Sequence, residues 1–337
     1  MSPLKRLVLL LLLSLPATLA LAQKTPFNLR TLTLPRELAD KNNQFSGLYL
    51  RGAQLLLLSE SRLQERAEAK VYAVDLASVD QQLTDKTREL AYKKYAIQGL
   101  EQVRARLDSA GQTYEGLEGL TMLGDVAYMS IETTTPSAYC YLIRGTVDDA
   151  ATRISLDPGY LVPLPKPAPT NGTHVHNAGF ESLVGYHQQV LALFEYNYFA
   201  RDNYAFEVPT TASGEVPRYV PVARLPFRVT DMVSVGPDRF TAINYFYKGD
   251  DDAVYRPAAG DANARLVQEG SGYKNYCRLI SVRYKGGKLS WKPLMELPAE
   301  YMTYNWEGLA GYKEGYFLIN DKYGPSNQST LVYLQKK

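Results

Sequence analysis

Two cysteines and three histidines in 337 residues, none at ligand spacing, leave no zinc centre to be read. There is no G-x-S-x-G elbow, P-loop or G-x-G-x-x-G run, so the usual serine-hydrolase and nucleotide-binding chemistries are excluded. Asp250-Asp251-Asp252 lacks the glycine and closing glutamate of an EF-hand and reads as a solvated loop tip. An excess of either charge is missing too. The formal net charge is +2, and it falls to zero once Lys5 and Arg6 are removed with a leader, which argues against nucleic acid or an anionic membrane as partner. No apolar run is long enough to span a bilayer: Leu7–Leu15 is interrupted by Ser14 and closed by Pro16. With Lys5 and Arg6 before it and Ala20-Leu21-Ala22 after it, residues 1–22 have the layout of a signal peptide. The expectation is an exported protein, periplasmic or extracellular, forming a single domain over 23–337. No cysteine follows the leader to carry a lipid anchor.

What the chain does have is a long-period repeat. Five segments begin on a small or acidic residue and end fourteen positions later: Ser46 to Glu60, Glu118 to Glu132, Glu181 to Glu195, Asp231 to Tyr245, and Glu307 to Asp321. Each has an apolar third residue (Leu48, Leu120, Leu183, Val233, Leu309), and turn formers such as Gly52, Gly124-Asp125 and Gly236-Pro237-Asp238 mark midpoints. Each therefore reads as a β-hairpin whose first and last residues lie opposite each other on one face. The spacing of the units is 50 to 76 residues, the signature of a propeller in an all-β chain.

Third strands follow at 70–76, 138–143, 204–208, 276–282 and 330–334, and outer strands fit 94–98, 154–162, 218–224 and 289–297. The last unit lacks a fourth strand. The alternating segment 27–34 lacks a unit, and closing the ring with it satisfies both edges. The fold expected is an all-β propeller of five four-stranded blades, or six if 103–113 or 250–274 hides a degenerate one. Cys140 and Cys277 fall at equivalent points of blades two and four, too far apart to bridge, so two buried free thiols are expected and no disulfide.

The phrases Phe45-Ser46-Gly47-Leu48, Leu117-Glu118-Gly119-Leu120, Phe180-Glu181-Ser182-Leu183 and Trp306-Glu307-Gly308-Leu309 resemble the secreted phytase-like (esterase-like activity of phytase) propellers. They are also similar to the SdiA-regulated propeller proteins. The resemblance implies a propeller and, for activity, at most a calcium-dependent hydrolase. Ser46, in place of an acid, and Asn244-Tyr245, in place of the second acid, depart from the pattern and leave a full ligand ring open.

If the first strand of each blade is innermost, Glu60, Glu118, Glu132, Glu181, Glu195, Asp231, Glu307 and Asp321 gather at one channel mouth. Crowded carboxylates must share protons, meet a cation or accept donors. An all-oxygen set suits calcium, and backbone N–H groups of the next blade are the other partner, making the acids braces. No Arg or Lys cluster stands beside these acids in the sequence. Of the histidines, His187 falls at a hairpin turn on the far rim, and His176, ahead of Glu181, is the candidate general base. Tyr198, Tyr247, Tyr304 and Trp306 form a candidate ligand rim, and 248–274 is long enough to cover the mouth. Two functions follow: a calcium-dependent hydrolase of a phosphoester, ester or lactone, or a noncatalytic propeller binding a glycan or protein partner on the tyrosine rim.

Overall fold

Apolar residues on both faces of the hairpins demand cover on both sides, and packing sheets face to face around a ring provides it. The structure, a computed structural model, describes residues 27–62, 68–134, 137–167, 175, 177–211, 216–249, 253–258, 260–321 and 327–337. The expected signal peptide, His176 and Asp250–Asp252 lie outside the described residues.

The protein is a β-propeller. Blade one is Phe45–Arg51, Gln54–Ser59, Lys70–Asp75 and Tyr92–Gln98, and blade two Tyr114–Leu123, Val126–Thr133, Tyr139–Asp148 and Arg153–Pro165. Blade three is Ser182–Tyr186, Gln189–Leu193, Tyr204–Pro209 and Arg218–Pro221; blade four is Arg228–Gly236, Arg239–Phe246, Tyr276–Lys285 and Lys288–Glu296. Blade five is Trp306–Tyr312, Gly315–Asn320 and Leu331–Lys336, completed by Phe27–Leu32, which pairs antiparallel with the last strand from Phe27 opposite Lys336 to Leu32 opposite Leu331. The first strands touch one another in cyclic order, blade five returning to blade one, so they form the inner wall. Blades one and two also join at their outer edges through a short parallel ladder, Ala96 to Arg153 through Gln98 to Ser155.

A separate apolar layer fills each gap between blades: Leu58 with Met129, Tyr128 with Phe206, Leu191 with Ile280, Leu279 with Leu318, and Leu57 with Phe317. Neither candidate sixth blade forms a four-stranded sheet among the described residues. Leu100–Ser109 is a helix burying Leu100, Val103 and Leu107, and 253–273 holds a short helix, Ala264–Val267, and a two-residue-per-strand hairpin. Among the described residues no helix is long and apolar enough to cross a membrane. Cys140 and Cys277 are free and buried.

The first residue of the repeat is not opposite its fourteenth, because each inner strand carries an irregular step there. The register slips between Phe45 and Gly47, Leu117 and Leu120, Val229 and Met232, and Trp306 and Gly308. In blade three Glu195 N–H donates to Gly179 O, one residue out of step with the Ser182–Leu193 pair. Ser46, Glu118, Glu181, Asp231 and Glu307 thus sit in β-bulges, which re-aim a side chain out of the pleat. The fourteenth residues face Gln44, Gly116, Gly179, Arg228 and Asn305 instead.

Candidate functional site

Bulges and hairpin ends converge on a cavity of about 760 Å³ at one channel mouth. Glu60, Glu118, Glu132, Glu181, Glu307 and Asp321 line it, bringing together six of the eight carboxylates singled out in the sequence. Glu118, Glu132 and Glu181 are only 7, 4 and 8% exposed. Glu118 Oε1, Glu132 Oε1 and Glu181 Oε2 are buried and have no hydrogen-bond partner among the described residues. Such atoms are rare in folded proteins and mark a place for a ligand, ion or water.

Burial pushes the Glu118 carboxyl well above its ordinary range, and Glu60, Glu132 and Glu307 push it further. Burial also raises Glu132, to about 8, with Glu195 adding and Lys166 opposing. Glu181 and Glu307 are displaced upward for the same first reason, with Glu195 and Asp321 respectively adding the next largest contribution. Burial and mutual repulsion thus favour the protonated form of each of these groups, and a cation among them would reverse that.

The other two carboxylates do not line the cavity. Asp231 accepts from the backbone N–H groups of Leu309 (2.6 Å), Met232 (2.7 Å) and Leu48 (3.5 Å), and so ties blade four to blades five and one. In the structure it acts as a brace, its oxygens taken up by backbone N–H groups of three blades. Glu195 is fully buried with Arg228 Nη1 at 2.8 Å from its Oε2 and the Tyr255 hydroxyl at 3.4 Å from its Oε1. The ring is otherwise braced by hydroxyls: Ser46 donates to Leu117 O, Ser182 to Val229 O and Thr230 to Trp306 O.

Two arginines that the sequence reading missed share the cavity wall. Arg62 reaches Glu115 at 2.8 Å and Glu60 at 3.3 Å. Arg228 also donates to Asn177 O, and its guanidinium lies 3.9 Å from the Tyr255 ring centre. The signal for Arg228 was the departure of blade four itself: where other blades place a carboxylate at the fourteenth position, Tyr245 stands there, and Arg228 faces it in the ladder.

The aromatic rim is mostly packing. Tyr247 lines the cavity and is 46% exposed, and Tyr245 joins it. Tyr198 instead donates to Asp261 and is covered by Arg224, while Tyr304 stacks on a fully buried Trp306 whose indole N–H donates to Tyr301 O. An indole at the first residue of an inner strand points between blades, where the apolar layer needs volume. His187 is at the far-rim turn, 4.0 Å from Asp238. Lys248 and Asn275, at the base of the 248–274 connection, line the cavity. Among the described residues no three His, Cys, Asp or Glu side chains are gathered as a metal-ligand cluster.

A stability consequence follows directly. A carboxyl whose pKa is higher in the folded than in the unfolded chain stabilises the fold fully below about pH 4.5 and loses that contribution as pH rises through its folded value. Between those limits each such group removes about 1.4 kcal/mol per pH unit. Chelated protein is expected to be less stable at pH 8 than at pH 5.5 by urea unfolding, and Glu132→Gln is expected to flatten that slope.

No family model matches the chain, and no curated protein matches it. Solved structures similar to it include a glucose dehydrogenase (9% identity over 92% of this chain and 100% of that one, TM-score 0.46). Another is the soluble aldose sugar dehydrogenase from Escherichia coli (10% identity, 93% and 100% covered, TM-score 0.47). A third is a GH43_1 enzyme from Xanthomonas citri complexed with xylose (8% identity, 90% and 88% covered, TM-score 0.49). Likeness at that level carries nothing about activity.

Proposed function

We propose that the channel mouth is a hydrolytic site for an ester-type bond, a phosphoester, ester or lactone, assisted by a hard divalent cation of the calcium class. One observation carries the reading: three buried carboxylate oxygens, on Glu118, Glu132 and Glu181, belong to residues lining the same cavity and have no donor among the described residues. A bound partner there must bring positive charge or donors, and an all-oxygen site without thiolate favours calcium. Glu118, Glu181 and Glu307 would hold it, their side chains closing in to do so. When bound, the cation would polarise the scissile group and supply positive charge against it.

The chain's own groups divide the remaining work. Glu132, neutral near pH 7, has a proton to give to a leaving oxygen. Arg62 and Arg228 bring to the wall the cationic charge that an anionic substrate needs. The resemblance to phytase-like propellers and the expected export signal belong to the same proposal. A second reading, a glycan bound without turnover, is favoured by Tyr245, Tyr247, Thr303 and Asn305 on the same wall.

Thermal unfolding in excess calcium and in chelator separates them. A cation at a hundredfold over its Kd adds about 2.7 kcal/mol, so a clear upward Tm shift is expected, lost in Glu181→Gln together with turnover. The absence of any calcium shift, with Glu181→Gln still binding a sugar ligand, sinks the hydrolase reading.

A further inference from the structure

A second cavity, of about 610 Å³, adjoins the acidic one: Gln44 and Asn327 line both. Its charge is of the other sign in effect. Of its two carboxylates, Glu37 is already engaged by the hydroxyls of Tyr72 (3.0 Å) and Tyr92 (2.8 Å) and lies 3.6 Å from Lys94. Asp40 caps its own short turn, accepting from Asn42 N–H at 2.9 Å. Lys94 is held by Glu68 at 3.1 Å. Lys70 is different: half-buried, its ammonium 5.8 Å from the Tyr72 ring centre, it has no carboxylate within ion-pair distance among the described residues. Burial disfavours its charge and Lys94 adds to that, while Glu68, Glu37 and Asp40 offset part of it from beyond ion-pair distance, and Lys41 adds a further cation on the same wall.

We infer that this cavity is a subsite for an anionic group, carboxylate or phosphate, recognised by Lys70 and Lys41. A half-buried ammonium with no carboxylate in direct contact among the described residues gains from an anion that reaches it, and side-chain amides of Asn42 and Asn327 stand on the wall to complete that anion's hydrogen bonds. Because the two cavities share a wall, the ligand is elongated, placing its anionic end here and its reacting bond among the carboxylates next door. The anion site stands by itself; only the position of the reacting bond rests on the hydrolytic reading.

Inorganic phosphate and acetate, titrated into the full chain in chelator and followed by calorimetry, test this. Binding of either is expected to weaken about tenfold in Lys70→Met, as loss of one charge-assisted contact implies, and to survive in Lys70→Arg and in Glu181→Gln. Phosphate preferred over acetate assigns a phosphate end, and the reverse a carboxylate. Equal binding by wild type and Lys70→Met, or none by wild type at millimolar anion, overturns the subsite. Binding that needs calcium and disappears in Glu181→Gln also overturns it, because the anion then sits on the metal. Loss of the calcium shift with phosphate binding intact removes the hydrolytic reading and leaves this one standing.

Discussion

Gly119→Val is expected to abolish the folded ring, and Gly119→Ala to lower stability by about 3 kcal/mol, the upper part of the range for overpacking. A Cβ on Gly119 would lie 2.4 Å from Glu181 O and 2.8 Å from Leu183 Cγ, and the first of these is backbone of the next blade. Gly47 faces Glu118 O at 3.2 Å and Gly308 faces Leu48 N at 3.0 Å in the same manner. In blades one, two and five the glycine after the motif's first residue therefore lets the inner strand approach its neighbour closely, and a side chain there opens the ring at that seam. Gly311→Ala is the control, since its Cβ would meet nothing nearer than 4.0 Å; it is expected to stay within about 0.5 kcal/mol of wild type. Urea unfolding followed by tyrosine fluorescence reads all three. A wild-type midpoint in Gly119→Ala would show that the seam can relax and that the motif glycine has another cause.

That close approach explains why so much of the fold was legible. The repeated phrase combines a turn-forming midpoint, an apolar third residue and, in three of the five units, a glycine for the seam, and the orphan N-terminal strand had one free edge to join. The helices were missed for a different reason. Leu76–Thr84 buries Leu76 and Val79 and is capped by Asp75, which accepts from Ala77 N–H. Leu100–Ser109 carries its apolar residues at three- and four-residue spacing. Both helices are short and stand between strands of the ladder, so the period-two pattern of the flanking strands outweighs their helical spacing. The bulges are a deeper loss. One extra residue per inner strand leaves the alternation almost unchanged, because the inserted residue is polar and its neighbour small, yet it decides where that residue points. Glu118, Glu181 and Glu307 turn to the cavity, Ser46 to Leu117 O, and Asp231 into the channel wall. Arg62 and Arg228 stand outside the repeat: Arg62 meets Glu60 and Glu115 from just beyond a strand end, and the ladder sets Arg228 opposite Tyr245, the one fourteenth residue that is not an acid.

Asp231 carries the other large expectation. It is 2% exposed, burial pushes its carboxyl well above the usual range, and the three backbone N–H groups it accepts pull the other way. Asp231→Ala leaves amides of blades one, four and five without an acceptor inside the protein, at about 1–3 kcal/mol for each buried donor stranded. A loss of about 4 kcal/mol is expected overall, since the shallow 3.5 Å contact to Leu48 contributes least. Asp231→Asn retains an acceptor oxygen of the same reach and avoids burying a charge, so its cost should be about 1 kcal/mol. The same pair of variants separates brace from ligand. If Asp231 only ties the blades, Asp231→Asn keeps the calcium-dependent shift in Tm that Glu181→Gln loses. If Asp231→Asn loses that shift at unchanged chelated stability, the carboxylate reaches the cation, and the cavity extends deeper down the channel than its six lining acids indicate.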